Sequence, residues 1–284
     1  MEITFWGVRG SIPSPGAEFN RYGGNTPCVS IRTRQGALVI LDAGTGITVL
    51  GRSLMTTGFG HGAGRATLLL THAHWDHIQG FPFFAPVFIP GNRFTIYGPS
   101  ESPSMVEGLL EGQMDPHFSP IHTLRNLGAT IQVLATQDGV TFRVDDLQVT
   151  GRINPHGSYS ALAYRLEQDG QQVVYAPDAG YNGEPSPQTQ ELYHGASVLI
   201  HDCTYTGPDQ RARRSRGQSS IEEAAHVAAM CQVKSLVMFH YDQDYTDQQV
   251  DGLRDRCREY LDREPGGKAI ELVAAAEGLT LHTD

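Results

Sequence analysis

The sequence predicts an α/β sandwich: two β-sheets packed face to face, with helices on their outer sides. Three observations carry this reading. Short runs rich in branched and aromatic residues recur along the whole chain in two groups, separated by turn-forming Gly, Pro, Asn and Asp. Amphipathic helical patterns fall between them. Neither an internal repeat nor a low-complexity segment breaks the series.

In chain order, strands are expected near residues 2–6, 27–33, 37–41, 67–71, 94–97, 130–134, 140–144, 147–153, 161–166, 171–176, 197–201, 235–239, 269–274 and 279–282. The run Leu147-Gln148-Val149-Thr150-Gly151-Arg152-Ile153 alternates, as a strand covered on one face does. Ser220-Ile221-Glu222-Glu223 is a capping box that opens a helix to about Met230, because the Ser hydroxyl and the Glu carboxylate each satisfy an amide left free at a helix start. Thr246-Asp247-Gln248-Gln249 opens a second helix, on which Val250, Leu253, Cys257 and Leu261 share one face. The Gly-rich pieces 58–64 and 266–267 read as turns.

Composition bounds the rest. With 284 residues and 39% hydrophobic content the chain can bury a substantial core, and a single domain over residues 1–284 is expected. No stretch approaches the roughly 18 apolar residues of a membrane span, and Met1-Glu2-Ile3-Thr4-Phe5-Trp6 lacks a basic region followed by an apolar one. Cys28, Cys203, Cys231 and Cys257 form no Cys-x-x-Cys pair and lie in apolar patterns, so a soluble, cytoplasmic protein with reduced cysteines is expected. A net charge of −10 repels a polyanion, which disfavours long nucleic acid as a partner. The basic run Arg211-Ala212-Arg213-Arg214-Ser215-Arg216 reads as a solvated loop, or as a phosphate grip if it reaches the site.

The chemistry is concentrated in Thr71-His72-Ala73-His74-Trp75-Asp76-His77, directly after the apolar run Thr67-Leu68-Leu69-Leu70. Residues i and i+2 of an extended chain point the same way, so His72 and His74 can share one cation, while a chain that then coils turns Asp76 and His77 toward a second. A catalytic zinc takes about three protein ligands plus a water, so two metals need more donors than these four. His156, Asp178 and His240 each sit at the end of a β-rich stretch and complete a set of five His and two Asp. Imidazole and carboxylate suit Zn2+, Mn2+ or Fe alike. Asp42 ends the run Ala37-Leu38-Val39-Ile40-Leu41 and can brace a ligating His from behind, or simply turn the chain before Gly44.

These residues resemble the metallo-β-lactamase superfamily. Gly7-Val8-Arg9-Gly10-Ser11-Ile12-Pro13, Arg21-Tyr22-Gly23-Gly24-Asn25-Thr26, Leu41-Asp42-Ala43-Gly44-Thr45-Gly46 and Gly80-Phe81-Pro82-Phe83-Phe84 resemble its phosphodiesterase branch, which includes tRNase Z and small cyclic-nucleotide phosphodiesterases. The likeness runs over nearly the whole chain and implies a four-layer αββα sandwich of two mixed sheets. It implies that His72, His74 and His156 hold one metal, that Asp76, His77 and His240 hold the other, and that Asp178 bridges them. Diiron relatives that handle oxygen carry Glu at the position of His74, so a redox role is disfavoured.

Two adjacent cations activate water and stabilise the charge of a phosphoryl transition state, so hydrolysis is the expected reaction. Asp76 is the candidate for orienting the nucleophile. In the tRNase Z-like branch a His in a short His-Ser-Ser or His-Ser-Thr motif, paired with an upstream acid, is thought to assist the leaving group; here Gln218-Ser219-Ser220 and Asp202 stand in those places, and Gln is no acid. Asn25, Gln218 and Asp202 are the candidate substrate residues. The expected partner is a small phosphodiester, with a cyclic nucleotide foremost, and a homodimer is compatible with the sequence. The alternatives are a tRNase Z-like RNA-processing nuclease and, outside enzymes, a metal-stabilised regulator. No long Gly- and Pro-rich arm of the kind that grips tRNA is visible, and the Pro- and Phe-rich segment 82–127 reads either as a cover beside the metals or as loops filling out the core.

Overall fold

The computed structural model describes residues 1–117, 119–121, 123–181, 183–212 and 216–283. Its first sheet holds β1 (Glu2–Gly7), β2 (Cys28–Arg32), β3 (Leu38–Leu41), β4 (Arg65–Leu69), β5 (Arg93–Pro99), β6 (Thr130–Thr136) and, at the opposite edge, β14 (Thr280–His282), in the order β14-β1-β2-β3-β4-β5-β6. The second holds β7 (Thr141–Val144), β8 (Leu147–His156), β9 (Tyr159–Gln168), β10 (Gln171–Ala176), β11 (Val198–Asp202), β12 (Ser235–Phe239) and β13 (Glu271–Ala274), ordered β13-β12-β11-β10-β9-β8-β7. Strands β3 to β6 and β10 to β13 run parallel within their sheets and the rest pair antiparallel, so both sheets are mixed.

Strand β3, in the middle of its sheet, is apolar without a break because both its faces are covered. In β3, Val39 and Leu41 face the second sheet, while Leu38 and Ile40 join an outer core with Ile47, Leu50 and Leu54 of α1 (Gly46–Leu54). Across the sandwich Phe239 of β12 meets Phe5 of β1 at 6.1 Å between ring centroids, and within its own sheet it meets Tyr175 of β10 at 5.7 Å. Each such fully buried aromatic or aliphatic side chain contributes roughly 1.5–3 kcal/mol relative to its exposure.

The remaining helices are α2 (Trp75–Ile78), α3 (Pro103–Gly112), α4 (Pro187–Tyr193), α5 (Gly207–Ala212), α6 (Ile221–Met230) and α7 (Asp247–Arg263). Both expected capping boxes are formed, by Ser220 with Glu223 and by Thr246 with Gln249. Val250, Leu253, Cys257 and Leu261 are the buried face of α7, which packs with α6 beside the second sheet.

Several expectations need correction. Strand β8 continues through His156 instead of ending before it, because the hairpin pairing with β9 persists to His156 opposite Tyr159. Strand β4 ends at Leu69, and Leu70 and Thr71 lead out of it. Part of each Gly-rich piece is 3-10 helix, at Gly58–His61 and Gly267–Ala269. Phe81, Phe84, Val87, Leu110 and Met114 pack into the outer core, so the segment 82–127 fills the fold; its Phe118 lies outside the described residues. All four cysteines are buried and unbridged. Among the described residues no helix is long and apolar enough to cross a membrane.

Candidate metal centre

The site stands at the carboxyl ends of the parallel strands, where α/β sheets carry their ligands. Asp42 follows β3, the segment from His72 to His77 follows β4, Asp178 follows β10, His240 follows β12, and His156 is the last residue of β8. His74 is extended (φ −63°, ψ 149°) and precedes the single turn of α2, so the chain changes from strand-like to helical between the second and third ligands, as the spacing requires.

Among the described residues three groups of donor atoms result, the atoms of each within 4.8 Å of one another: His72, His74 and His156; Asp76, His77 and His240; and a third, His72, His77 and Asp178, that shares a histidine with each of the first two. Asp178 joins the first two. Its Oδ1 lies 3.7 Å from His156 Nε2, while its Oδ2 lies 2.8 Å from His77 Nε2 and 3.5 Å from His240 Nε2. One carboxylate thus offers one oxygen to each of the two.

Behind the donors, the other ring nitrogen of four histidines is held. Asp42 Oδ2 accepts from His77 Nδ1 at 2.8 Å, and the same carboxylate accepts from Thr71 N, Thr71 Oγ1 and Tyr175 OH. With its own proton committed to Asp42, Thr71 Oγ1 accepts from His72 Nδ1 at 3.1 Å. Gly217 O accepts from His156 Nδ1 at 2.8 Å, and Thr204 Oγ1 lies 3.1 Å from His240 Nδ1. Such partners fix the tautomer that leaves a lone pair toward a metal. Asp42, His240 and Ser11 have φ of 58°, 61° and 68°, left-handed values that cost roughly 1–3 kcal/mol each, so backbone strain collects at the site.

The electrostatics fit divalent cations. Burial opposes charge on Asp76 and Asp178, yet the histidines, His77 foremost for Asp76 and His240 for Asp178, hold both carboxyls well below the usual range. Burial likewise opposes charge on His77, but Asp76, Asp42 and Asp178 raise it well above a normal imidazole; His240 is raised to about 9 against its burial, chiefly by Asp178 and Asp76. Burial, and then His77, pushes His72 down. His72 Nε2, His77 Nε2 and Asp178 Oδ2 are buried without a hydrogen bond, the last two close but misaligned, which is a costly arrangement that metal ligation resolves.

Ser11 N donates to Asp76 Oδ2 at 2.8 Å, and the same oxygen lies 3.2 Å from His240 Nε2. Asp76 also lines a cleft of about 340 Å3, with Ser11, His74, Trp75, His156, Ser158, Tyr159, Asp178, Arg216 and Gln218. Gln218 therefore reaches the site: its Nε2 is 3.5 Å from Asp178 Oδ1 and 3.4 Å from His240 Nδ1, and its Oε1 is buried and unpaired. Of the basic run, Arg216 reaches the cleft, whereas Arg213, Arg214 and Ser215 lie outside the described residues.

Asp202 and Asn25 are not placed as substrate contacts. Asp202 is fully buried, and its oxygens accept from Ala179 N, Ser219 N, Thr204 N and Thr204 Oγ1. It braces the segments that carry Asp178, Gln218 and His240, and burial, with Asp178 adding to it, drives its carboxyl up to about 7. The side-chain amide of Asn25 donates to Glu277 Oε2 at 2.8 Å, while its backbone carbonyl accepts from Val8 N and Arg9 N and so shapes the loop that presents Ser11. His201 faces away from Asp202, toward Tyr181 OH, as alternation along β11 requires.

Gly10 was not a candidate, yet the site depends on it. A Cβ there would stand 2.3 to 2.9 Å from three ring atoms of His240. Gly10→Ala is expected to displace His240, cost one metal per chain and lower hydrolysis on the order of 10²-fold, since small misplacements of a reacting group cost that much. Metal content and rate measured together check this, and two ions with full activity would contradict it. Gly217, at φ 68°, is similarly confined: a Cβ would stand 1.7 Å from Gly157 N, where the loop passes close enough to hold His156.

A family model for the beta-lactamase superfamily domain matches residues 39–241. The chain is 30% identical over 290 residues to Ribonuclease Z of Mycobacterium marinum, covering 96% of this chain and 95% of that one. Among solved structures, the metallo-beta-lactamase fold protein YhfI from Bacillus subtilis matches with a TM-score of 0.70 at 17% identity, over 99% of this chain and 98% of its own. The short form of human tRNase Z matches at 0.66 and 18% identity over 100% of both chains. At these identities the two structures show a shared fold.

Proposed function

The chain belongs to the beta-lactamase superfamily and is a metal-dependent hydrolase, and from that premise we propose that it hydrolyses small phosphodiesters, cyclic nucleotides foremost, using two divalent ions, Zn2+ before Mn2+ or Fe. The observation that carries this reading is the doubled donor set, joined through Asp178 and opening on a cleft of about 340 Å3. His72, His74 and His156 would hold one ion, Asp76, His77 and His240 the other, and Asp178 both. Bound there, the pair supplies a hydrolytic nucleophile at neutral pH and offsets charge gathering on the phosphoryl oxygens.

The chain's own residues do the rest. Asp76 Oδ2 is committed to Ser11 N and the His240 side, so Oδ1 is the atom that takes a hydrogen bond from water and aims it at phosphorus. Asp42, Thr71 and Thr204 keep the imidazoles in one tautomer and orientation. Gln218 can donate a hydrogen bond but has no proton to give, so it is not the acid for the departing oxygen: another group supplies that proton, or the leaving alkoxide is stabilised by metal alone. The four buried, unbridged cysteines suit a reducing compartment, and a cytoplasmic setting goes with this reading.

A second reading, a nuclease acting on precursor tRNA, is favoured by the name of the Mycobacterium marinum relative. The net charge of −10 speaks for the small substrate. A panel of 2′,3′- and 3′,5′-cyclic nucleotides, bis(p-nitrophenyl) phosphate and precursor tRNA, with Zn2+ and with Mn2+, separates the two: cyclic nucleotides are expected to turn over fastest among natural substrates, and cleavage of precursor tRNA alone would overturn that. Nitrophenolate is expected to depart much faster than an alkoxide, and Gln218→His to narrow the gap. If Gln218→Ala changes neither rate, Gln218 has no part in the reaction.

A further inference from the structure

We infer that Trp75 and Tyr159 form an aromatic margin of the metal cleft that stacks on a planar ring of the substrate, which makes the diester a nucleotide with its base on the His74 side; this rests on the phosphodiesterase reading above. Trp75 and Tyr159 are 73% and 69% exposed, and both line the cleft. Single exposed hydrophobic residues are ordinary, but two large aromatics left open on the walls of one metal cleft are an unfilled binding surface. Both stand on firm backbone: Trp75 opens α2 and its carbonyl accepts from Gln79 N, while Tyr159 opens β9 opposite His156. The ring of Tyr159 meets that of His74 edge-on at 5.4 Å, and Trp75, the chain neighbour of His74, lines the same cleft.

The other side is polar. Gln218 contacts Asp178 and His240, and Arg216 reaches Tyr205 OH at 3.4 Å. A phosphodiester seated at the donor atoms lies between aromatic rings and hydrogen-bond donors. A nucleoside cyclic phosphate offers that asymmetry: a flat base that stacks without regard to sequence, and a ribose that takes hydrogen bonds.

The test uses the metal-loaded full chain and a matched pair of five-membered cyclic diesters, adenosine 2′,3′-cyclic phosphate and glycerol 1,2-cyclic phosphate, the second of which has no aromatic ring to stack. Tyr159→Ala and Trp75→Ala are each expected to raise KM for the nucleotide about tenfold more than KM for the glycerol diester, with kcat for the nucleotide moving little, and Tyr159→Phe and Trp75→Phe are expected to restore the preference. Equal changes for both substrates, or none, would overturn the inference while leaving phosphodiester hydrolysis intact. Binding supplies a readout independent of turnover. The chain has two Trp, so Trp6→Phe leaves Trp75 as its one indole. In that background adenosine 2′-monophosphate is expected to quench the emission and glycerol phosphate is not. If neither diester is hydrolysed, the functional reading fails, yet quenching still decides whether the margin binds a base, and its absence would overturn the inference.

Discussion

His77→Ala is expected to leave a folded protein that retains at most one metal ion per chain and hydrolyses no phosphodiester. His77 Nε2 belongs to the second donor group and Nδ1 is anchored 2.8 Å from Asp42 Oδ2. Removing the ring leaves Asp42, Asp76 and Asp178 facing one another without the positive partner that holds them, and breaking a buried ion pair in this way costs roughly 3–5 kcal/mol. The metal-free variant should therefore also melt earlier than the metal-free parent. Elemental analysis, a melting curve and a rate check all three effects. Full activity with one ion or none would remove the dinuclear assignment.

Asp76→Asn separates ligation from proton acceptance. The substitution keeps size and one oxygen to accept from Ser11 N, but an amide is a poor proton acceptor. Turnover is expected to fall by about 10²-fold or more, with a smaller change in KM, because the lost interaction is one made in the transition state. If KM alone changed, Asp76 would be a structural ligand and the orienting group would lie elsewhere.

How much of this was legible in the sequence follows from how local each signal is. The strands announced themselves because each is a short apolar run closed by turn residues, and even the change of direction between His74 and Asp76 is written in their spacing. The candidate donors stand out because His and Asp at strand ends are conspicuous, and the fold brings them together. The parts that escaped depend on contacts between distant segments. Gly10 matters only because His240, far along the chain, packs its ring against it. Thr71 and Thr204 look like ordinary polar residues until their hydroxyls are seen to donate hydrogen bonds to Asp42 and Asp202. Asp202 and Asn25 show the converse: each lies in a suggestive motif, but the burial of Asp202 with its bond from Ser219, and the bond of Asn25 to Glu277, also make each a brace. Trp75 sits inside the metal motif itself, and only its exposure reveals that it faces the cleft.

The most direct test of the central claim is a titration of the metal-stripped chain with Zn2+, and separately with Mn2+, in which bound metal and hydrolysis of a 2′,3′-cyclic nucleotide are followed on the same samples. Two ions per chain are expected, one for each donor group, with hydrolysis appearing as the second binds. Saturation at a single ion, or full hydrolysis before the second is taken up, would contradict the account.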